Sequence, residues 1–245
     1  MTDSLIVLRA PSGISGDMLL TGLSQLAGLN SGELTALIDS IGLAALHNVV
    51  RIEPHSVNQI SGWKASIDLP HEHHHRTLPD IEGIIDDSQL AANAKQLAKD
   101  TFHQLAKAEA TVHGIPLAQV SFHEVGALDS ILDICVSAAL FCQINPRRFY
   151  CSPLPVCDGV ISCEHGLLAS PAPAVQELLR DVPVYGIDSR GETITPTAIA
   201  FLRAADAQFG KWPAGEIVDV ARAYGGRVLP GVPNGAMFFL LRGDG

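Results

Sequence analysis

Between Ser121 and Ile134 the chain reads Ser-Phe-His-Glu-Val-Gly-Ala-Leu-Asp-Ser-Ile-Leu-Asp-Ile, which sets His123, Glu124, Asp129 and Asp133 in an otherwise apolar stretch. Charge in such surroundings persists only where a cation, a metal or a hydrogen-bond donor meets it. A helix beginning near Gly126 places Asp129 and Asp133 four residues apart on one face. His123, Glu124 and Asp129 then form a group able to hold a metal ion or to accept a proton beside one. The competing reading is structural: Glu124 and Asp129 complement the positive end of a helix, and Asp133 pairs with an arginine.

A second concentration of chemistry is His71-Glu-His-His-His-Arg76, where His71, His73, His74 and His75 fall within five positions. Imidazole ligates nickel, zinc, copper and iron, and affinity alone does not choose among them. The alternative is a solvated loop with no dedicated ion. Glu109 and His113 are also spaced as a ligand pair, although a histidine in a last helical turn more often complements the helix dipole. Cys151, Cys157 and Cys163 lie six apart without a Cys-x-x-Cys motif, which favours buried thiols on strands over a zinc site.

The third candidate is the turn Pro11-Ser-Gly-Ile-Ser-Gly-Asp-Met18, between a strand and a helix start. Ser12, Gly13, Ser15, Gly16 and Asp17 can present free amide groups to an anion there. The turn lacks the lysine of a triphosphate-binding loop, and Asp17 adds negative charge, so a monophosphate fits better. A helix capped by Ser15 is the simpler account.

The elements that must hold these groups read as an α+β fold. Leu5–Leu8 is a buried strand, followed by helices to about Ala27 and from Ser31 to about Ile41. Strands follow at Asn48–Ile52 and Gly62–Leu69. Thr77 with Asp80 caps a short helix to Asp86, and a longer helix runs from Gln89 to His113, stopped by Gly114. After a helix to Asn145 come short strands, then helices opened by Ser170-Pro171 and Thr195-Pro196 and running to about Arg180 and Phe209. Strands near Ile217–Ala221 and Ala236–Leu241 close the chain. The expected architecture is a small amino-terminal sheet with helices, a helical middle and a mixed remainder. It forms one compact domain, divisible into lobes at 1–76 and 77–245.

Composition narrows the partners. With 245 residues, 47% of them hydrophobic, there is ample material for a core. A formal net charge of −10 argues against nucleic acid or an anionic membrane, both of which reward clustered Lys and Arg. No apolar run reaches membrane-spanning length, and the amino terminus lacks the basic region of a signal peptide. Five cysteines without an export signal read as reduced thiols, so the expected location is the cytoplasm and no disulfide is expected.

Several stretches together resemble the LarC-type nickel insertion proteins, which act in making the nickel-pincer nucleotide cofactor of lactate racemase. They are Ser12-Gly-Ile-Ser-Gly-Asp-Met18, His73-His-His-Arg-Thr-Leu78, Glu109 with Val112-His-Gly114, Phe122-His-Glu-Val-Gly-Ala127 with Asp129-Ser130, Tyr150-Cys-Ser-Pro-Leu-Pro155, His165-Gly-Leu-Leu168, Pro171-Ala-Pro-Ala174 and Thr195-Pro-Thr197. The resemblance implies a nickel chelatase of the lyase class that inserts Ni²⁺ into a dithiolated pyridinium mononucleotide, forming carbon–nickel and sulfur–nickel bonds. It implies His123, Glu124 and Asp129 as catalytic residues and His71, His73, His74, His75, His123 and Glu124 as metal ligands. Ser12, Gly13, Ser15, Gly16, Asp17, Thr195 and Thr197 would bind the precursor. The family's further carboxy-terminal domain, associated with cytidine triphosphate and Mn²⁺ or Mg²⁺, has no counterpart here. A separate chain bearing that domain is therefore the expected partner, with a homo-oligomer a further possibility. A non-catalytic nickel or zinc carrier is the alternative function.

Overall fold

The computed structural model describes residues 4–70, 76–122, 125–163 and 166–243. The apolar run of β1 (Ser4–Arg9) leads through the glycine-bearing turn into α1 (Gly16–Leu26) and then α2 (Ser31–Asp39). A capping box between Asn30 and Glu33 opens α2. β2 (Val50–Val57) and β3 (Ile60–Ile67) form a hairpin whose turn residues, Asn58 and Gln59, both take positive φ. That geometry matches the twist of the paired strands. Pro54 is tolerated in β2 because β2 is the edge of its sheet.

β4 (Arg76–Thr77) runs into α3 (Leu78–Asp87), where Thr77 and Asp80 make the reciprocal cap that their spacing predicts. α4 (Ala92–His113) starts three residues after Gln89, whose amide donates to Ser40 O instead of entering the helix. It ends at Gly114 in the left-handed region. β5 (Ser121–Phe122) pairs with β4, and α5 (Leu128–Ile144) follows. Then come β6 (Arg148–Cys151), β7 (Leu154–Val156), the hairpin β8 (Val160–Cys163) and β9 (Gly166–Ala169), α6 (Pro173–Leu178) and β10 (Val184–Gly186). α7 (Pro196–Ala204), β11 (Gln208–Phe209), β12 (Glu216–Ala223) and β13 (Ala236–Arg242) complete the chain.

Two further expected boundaries move. The hydroxyl of Ser170 donates to Gly191 O rather than capping a helix, so α6 opens only at Pro173 with Ala172 at its cap. The helix after Thr195 stops at Ala204, because Asp206 turns to positive φ and Gln208–Phe209 join the sheet beside β6.

The main sheet has seven strands in the order β11-β6-β1-β13-β12-β3-β2, so both ends of the chain contribute. β1 lies parallel to β6 and antiparallel to β13. On one face Ile6, Leu8 and Phe238 meet Leu19 and Leu23 of α1 in the main core. α5 packs on α1, and α4 packs on α5, α6 and α7. On the other face Leu5, Val7 and Leu241 form a smaller cluster with Tyr150 and Phe239. Helices and a mixed sheet in this arrangement are α+β, the class expected from the sequence. Among the described residues no helix is long and apolar enough to cross a membrane. Cys135, Cys142, Cys151 and Cys157 are free, and burial pushes the Cys135 and Cys151 thiols up to about 12, as suits packing groups rather than nucleophiles.

Candidate functional site

The glycine-bearing turn is fixed by a short backbone clamp. Ile14 N–H donates to Thr193 O at 2.9 Å, and Thr195 N–H donates to Ile14 O at 3.1 Å. Gly13 makes this possible, since its φ of +104° suits glycine and a Cβ there would lie 1.8 Å from Thr193 O. The clamp sets Ser15, at the cap of α1, beside Thr195, at the cap of α7. Thr195 Oγ1 accepts from Ala198 N–H and lies 2.9 Å from Thr197 Oγ1. Ser15 behaves differently from the expected cap: its hydroxyl donates to Asp17 Oδ1 and makes no cap hydrogen bond to the first amides of α1.

Between these helix starts lies a cavity of about 680 Å³. Ser15, Gly16 and Asp17 of α1, Asp129, Ser130 and Asp133 of α5, and Thr195 and Thr197 of α7 line it. Glu109 and His113 close another side from the end of α4, with His113 Nε2 3.3 Å from Glu109 Oε2. Apolar side chains, among them Ile67, Leu69, Val125 and Leu168, supply much of the remaining wall. The size suits a small ligand with an apolar body and a few polar anchors. A smaller hollow of about 200 Å³ adjoins, sharing Ser15, Asp17, Glu192 and Thr195 and adding Ser12, Gly13 and Arg227.

The floor of the cavity is acidic. Burial raises the Asp133 carboxyl well above the usual carboxylate range, and the charges of Asp17 and Asp129 raise it further. Its Oδ1 is out of contact with solvent and has no hydrogen-bond partner. The Oδ2 rests against Gly16, where an added Cβ would come within 2.3 Å of it. Burial raises Asp17 as well, against the lowering effect of the Ser15 hydroxyl, the Met18 amide and Lys64. Asp129 is exposed, and its Oδ1 accepts from Ser130 N–H at 2.7 Å in the first turn of α5.

The structure thus gathers six of the sequence candidates, Ser15, Gly16, Asp17, Asp129, Thr195 and Thr197, on one cavity and places Ser12 and Gly13 in its neighbour. His71, His73, His74, His75, His123 and Glu124 lie outside the described residues. Leu69 and Val125, close to them in sequence, line the cavity. The arginine expected beside Asp133 is not found among the described residues, because the arginines of this region bond backbone carbonyls instead: Arg76 that of Gly126, and Arg227 those of Glu192 and Arg190. Glu109 and His113, read as a helix-end pair, prove to border the cavity. Glu192 also lines it, and no local pattern in Arg190-Gly-Glu-Thr193 announced that. Among the described residues no three His, Cys, Asp or Glu side chains come together as a metal shell. What the described wall can do is meet an anion with the Thr195 and Thr197 hydroxyls and helix-start amides, and meet a cation with Asp17 and Asp133.

No solved structure matches the chain. A putative nickel insertion protein of Geotalea daltonii is 37% identical over 223 residues, covering 91% of this chain and 57% of that protein. One from Syntrophotalea carbinolica is 37% identical over 242 residues, covering 98% of this chain and 59% of its own length. A pyridinium-3,5-bisthiocarboxylic acid mononucleotide nickel insertion protein of Staphylococcus epidermidis is 35% identical over 229 residues, covering 93% and 56%. The chain therefore spans between 56% and 59% of the length of these curated relatives. The family model described as nickel insertion protein matches residues 6–244, nearly the whole sequence, and the chain belongs to that family.

Proposed function

We propose that this chain binds Ni²⁺ and a dithiolated pyridinium mononucleotide and brings them together for nickel insertion in the cytoplasm. The single observation that carries the reading is one cavity in which helix starts and threonine hydroxyls face two half-buried carboxyls, Asp17 and Asp133. A substrate with a phosphate at one end and a cationic ring at the other has the complementary charges. The phosphate lies toward the Ser12–Asp17 turn and Thr195. Nickel is the cargo, collected by His71, His73, His74 and His75 and passed inward past His123 and Glu124. Its preference for sulfur donors over carboxylate draws it onto the substrate's two thiocarboxylates. Forming a carbon–nickel bond releases the ring proton, and Asp129, exposed at the rim, is the proton acceptor.

A full cycle uses cytidine triphosphate with Mn²⁺ or Mg²⁺ on a separate chain that carries the family's carboxy-terminal domain. The Ser12–Asp17 turn supports this division, for it holds an acid and no lysine against a triphosphate. The test is to incubate the protein with Ni²⁺, the precursor, Mn²⁺ and cytidine triphosphate, with and without such a partner, and to follow organonickel product by mass spectrometry. Product in multiple turnovers is expected only with the partner. Nickel bound without product under either condition would favour a non-catalytic carrier of nickel or zinc.

A further inference from the structure

Of the two carboxyls in the scheme above, Asp133 is the more constrained. Its Oδ1 is shielded from solvent and unpartnered, and its Oδ2 is held against Gly16, where no side chain fits. Asp17 follows Gly16 directly, and Asp129 stands one helical turn away, so the surroundings add negative charge. A buried carboxyl in that position is stable only when neutral or opposite a cation. Among the described residues neither a basic side chain nor a set of metal-ligating groups fills that role. The neighbouring wall is apolar over Ile67, Leu69 and Val125, which suits a flat organic cation better than a hydrated ion.

We propose that Asp133, backed by Asp17, is the counter-charge for a positively charged aromatic ring, and that it makes the cavity select pyridinium mononucleotides over their neutral-ring counterparts. The inference rests on the mononucleotide reading above and names what recognises the ring. The cation supplies the counter-charge that the Asp133 carboxyl lacks among the described residues, while the phosphate is held at Thr195 and the Ser12–Gly13 side of the turn, in the adjoining hollow. A neutral ring of the same size leaves Asp133 desolvated and uncompensated, and a site with a buried polar group left unpaired rejects such an analogue strongly.

Oxidised and reduced nicotinamide mononucleotide make the probe pair: they share ribose and phosphate, and differ by a hydride that removes the ring's charge. Binding of each to the full chain is measured by calorimetry, with inorganic phosphate as competitor. The oxidised form is expected to bind about tenfold or more tightly than the reduced form. Asp133→Asn is expected to bring the two within about twofold, and Asp17→Asn to narrow the gap part of the way. Circular dichroism checks that each variant folds; should Asp133→Asn fail to fold, Asp17→Asn and the wild-type comparison still decide. Equal affinity of the two forms for the wild type, or discrimination that survives both substitutions, overturns the ring seat while leaving the mononucleotide reading intact. Absence of binding by either form at about 10 mM removes both.

Discussion

Burial, then Asp17, then Asp129 disfavour the charged form of Asp133 and hold its carboxyl well above the ordinary value. Its folded value lies above the unfolded one near 3.8, so its contribution to stability is fully present below that value. The contribution is lost as pH rises through the raised folded value, and Asp17, also raised, adds in the same direction. Replacing Asp133 with Asn removes this loss. We expect Asp133→Asn to gain on the wild type as pH rises from about 4 to about 8, reaching about 1 kcal/mol, or roughly 2–4 °C in melting temperature. Scanning calorimetry across that range checks it, and a variant less stable than wild type at neutral pH would mean that the carboxylate has a partner in the fold. The spacing of Asp129 and Asp133 was legible in the sequence. The isolation of Asp133 was not, because it arises from the close approach of α1 at Gly16, a tertiary contact that no local pattern encodes.

Helix caps hold the site together, and the sequence disclosed them unevenly. Thr77 and Thr195 cap as their spacing suggests: each hydroxyl oxygen accepts from the amide three residues on, and each also bonds a side chain of its own first turn, Asp80 Oδ2 and Thr197 Oγ1. Ser15 and Ser170 do not: their hydroxyls donate to Asp17 and to the Gly191 carbonyl and accept from no helix amide. Removing the α7 cap with Thr195→Ala should cost about 1 kcal/mol in urea denaturation and weaken binding of the mononucleotide. Gly13→Ala should be more damaging, by about 2–4 kcal/mol, because it forces a Cβ into Thr193 O and opens the clamp between the two helix starts. Loss of both stability and mononucleotide binding is the expected pair of results. Intact binding in Gly13→Ala would show that the clamp does not position the cavity.

At the scale of the molecule, the fold class followed from alternating helix and strand patterns, but the sheet did not. β1 pairs with β13 across nearly the full length of the chain, and such long-range pairing leaves no mark in local periodicity. The sequence likewise brought the Ser12–Asp17 turn, Asp129 and Thr195 forward as separate candidates, and only packing joins them around one cavity. The histidine tract is the proposed point of nickel entry. Changing His71, His73, His74 and His75 together to Ala should abolish at least one equivalent of Ni²⁺ binding by calorimetry, and undiminished stoichiometry would mean that the tract is a solvated loop. The central claim, that nickel and the mononucleotide meet on this chain, is tested most directly by X-ray absorption at the nickel edge on protein freed of unbound ligand by gel filtration. The account predicts nickel with nitrogen and oxygen neighbours when Ni²⁺ is added alone, and nickel with sulfur neighbours and an equivalent of co-eluting precursor when both are added. Nickel that keeps the same nitrogen and oxygen shell while the precursor elutes separately would contradict it.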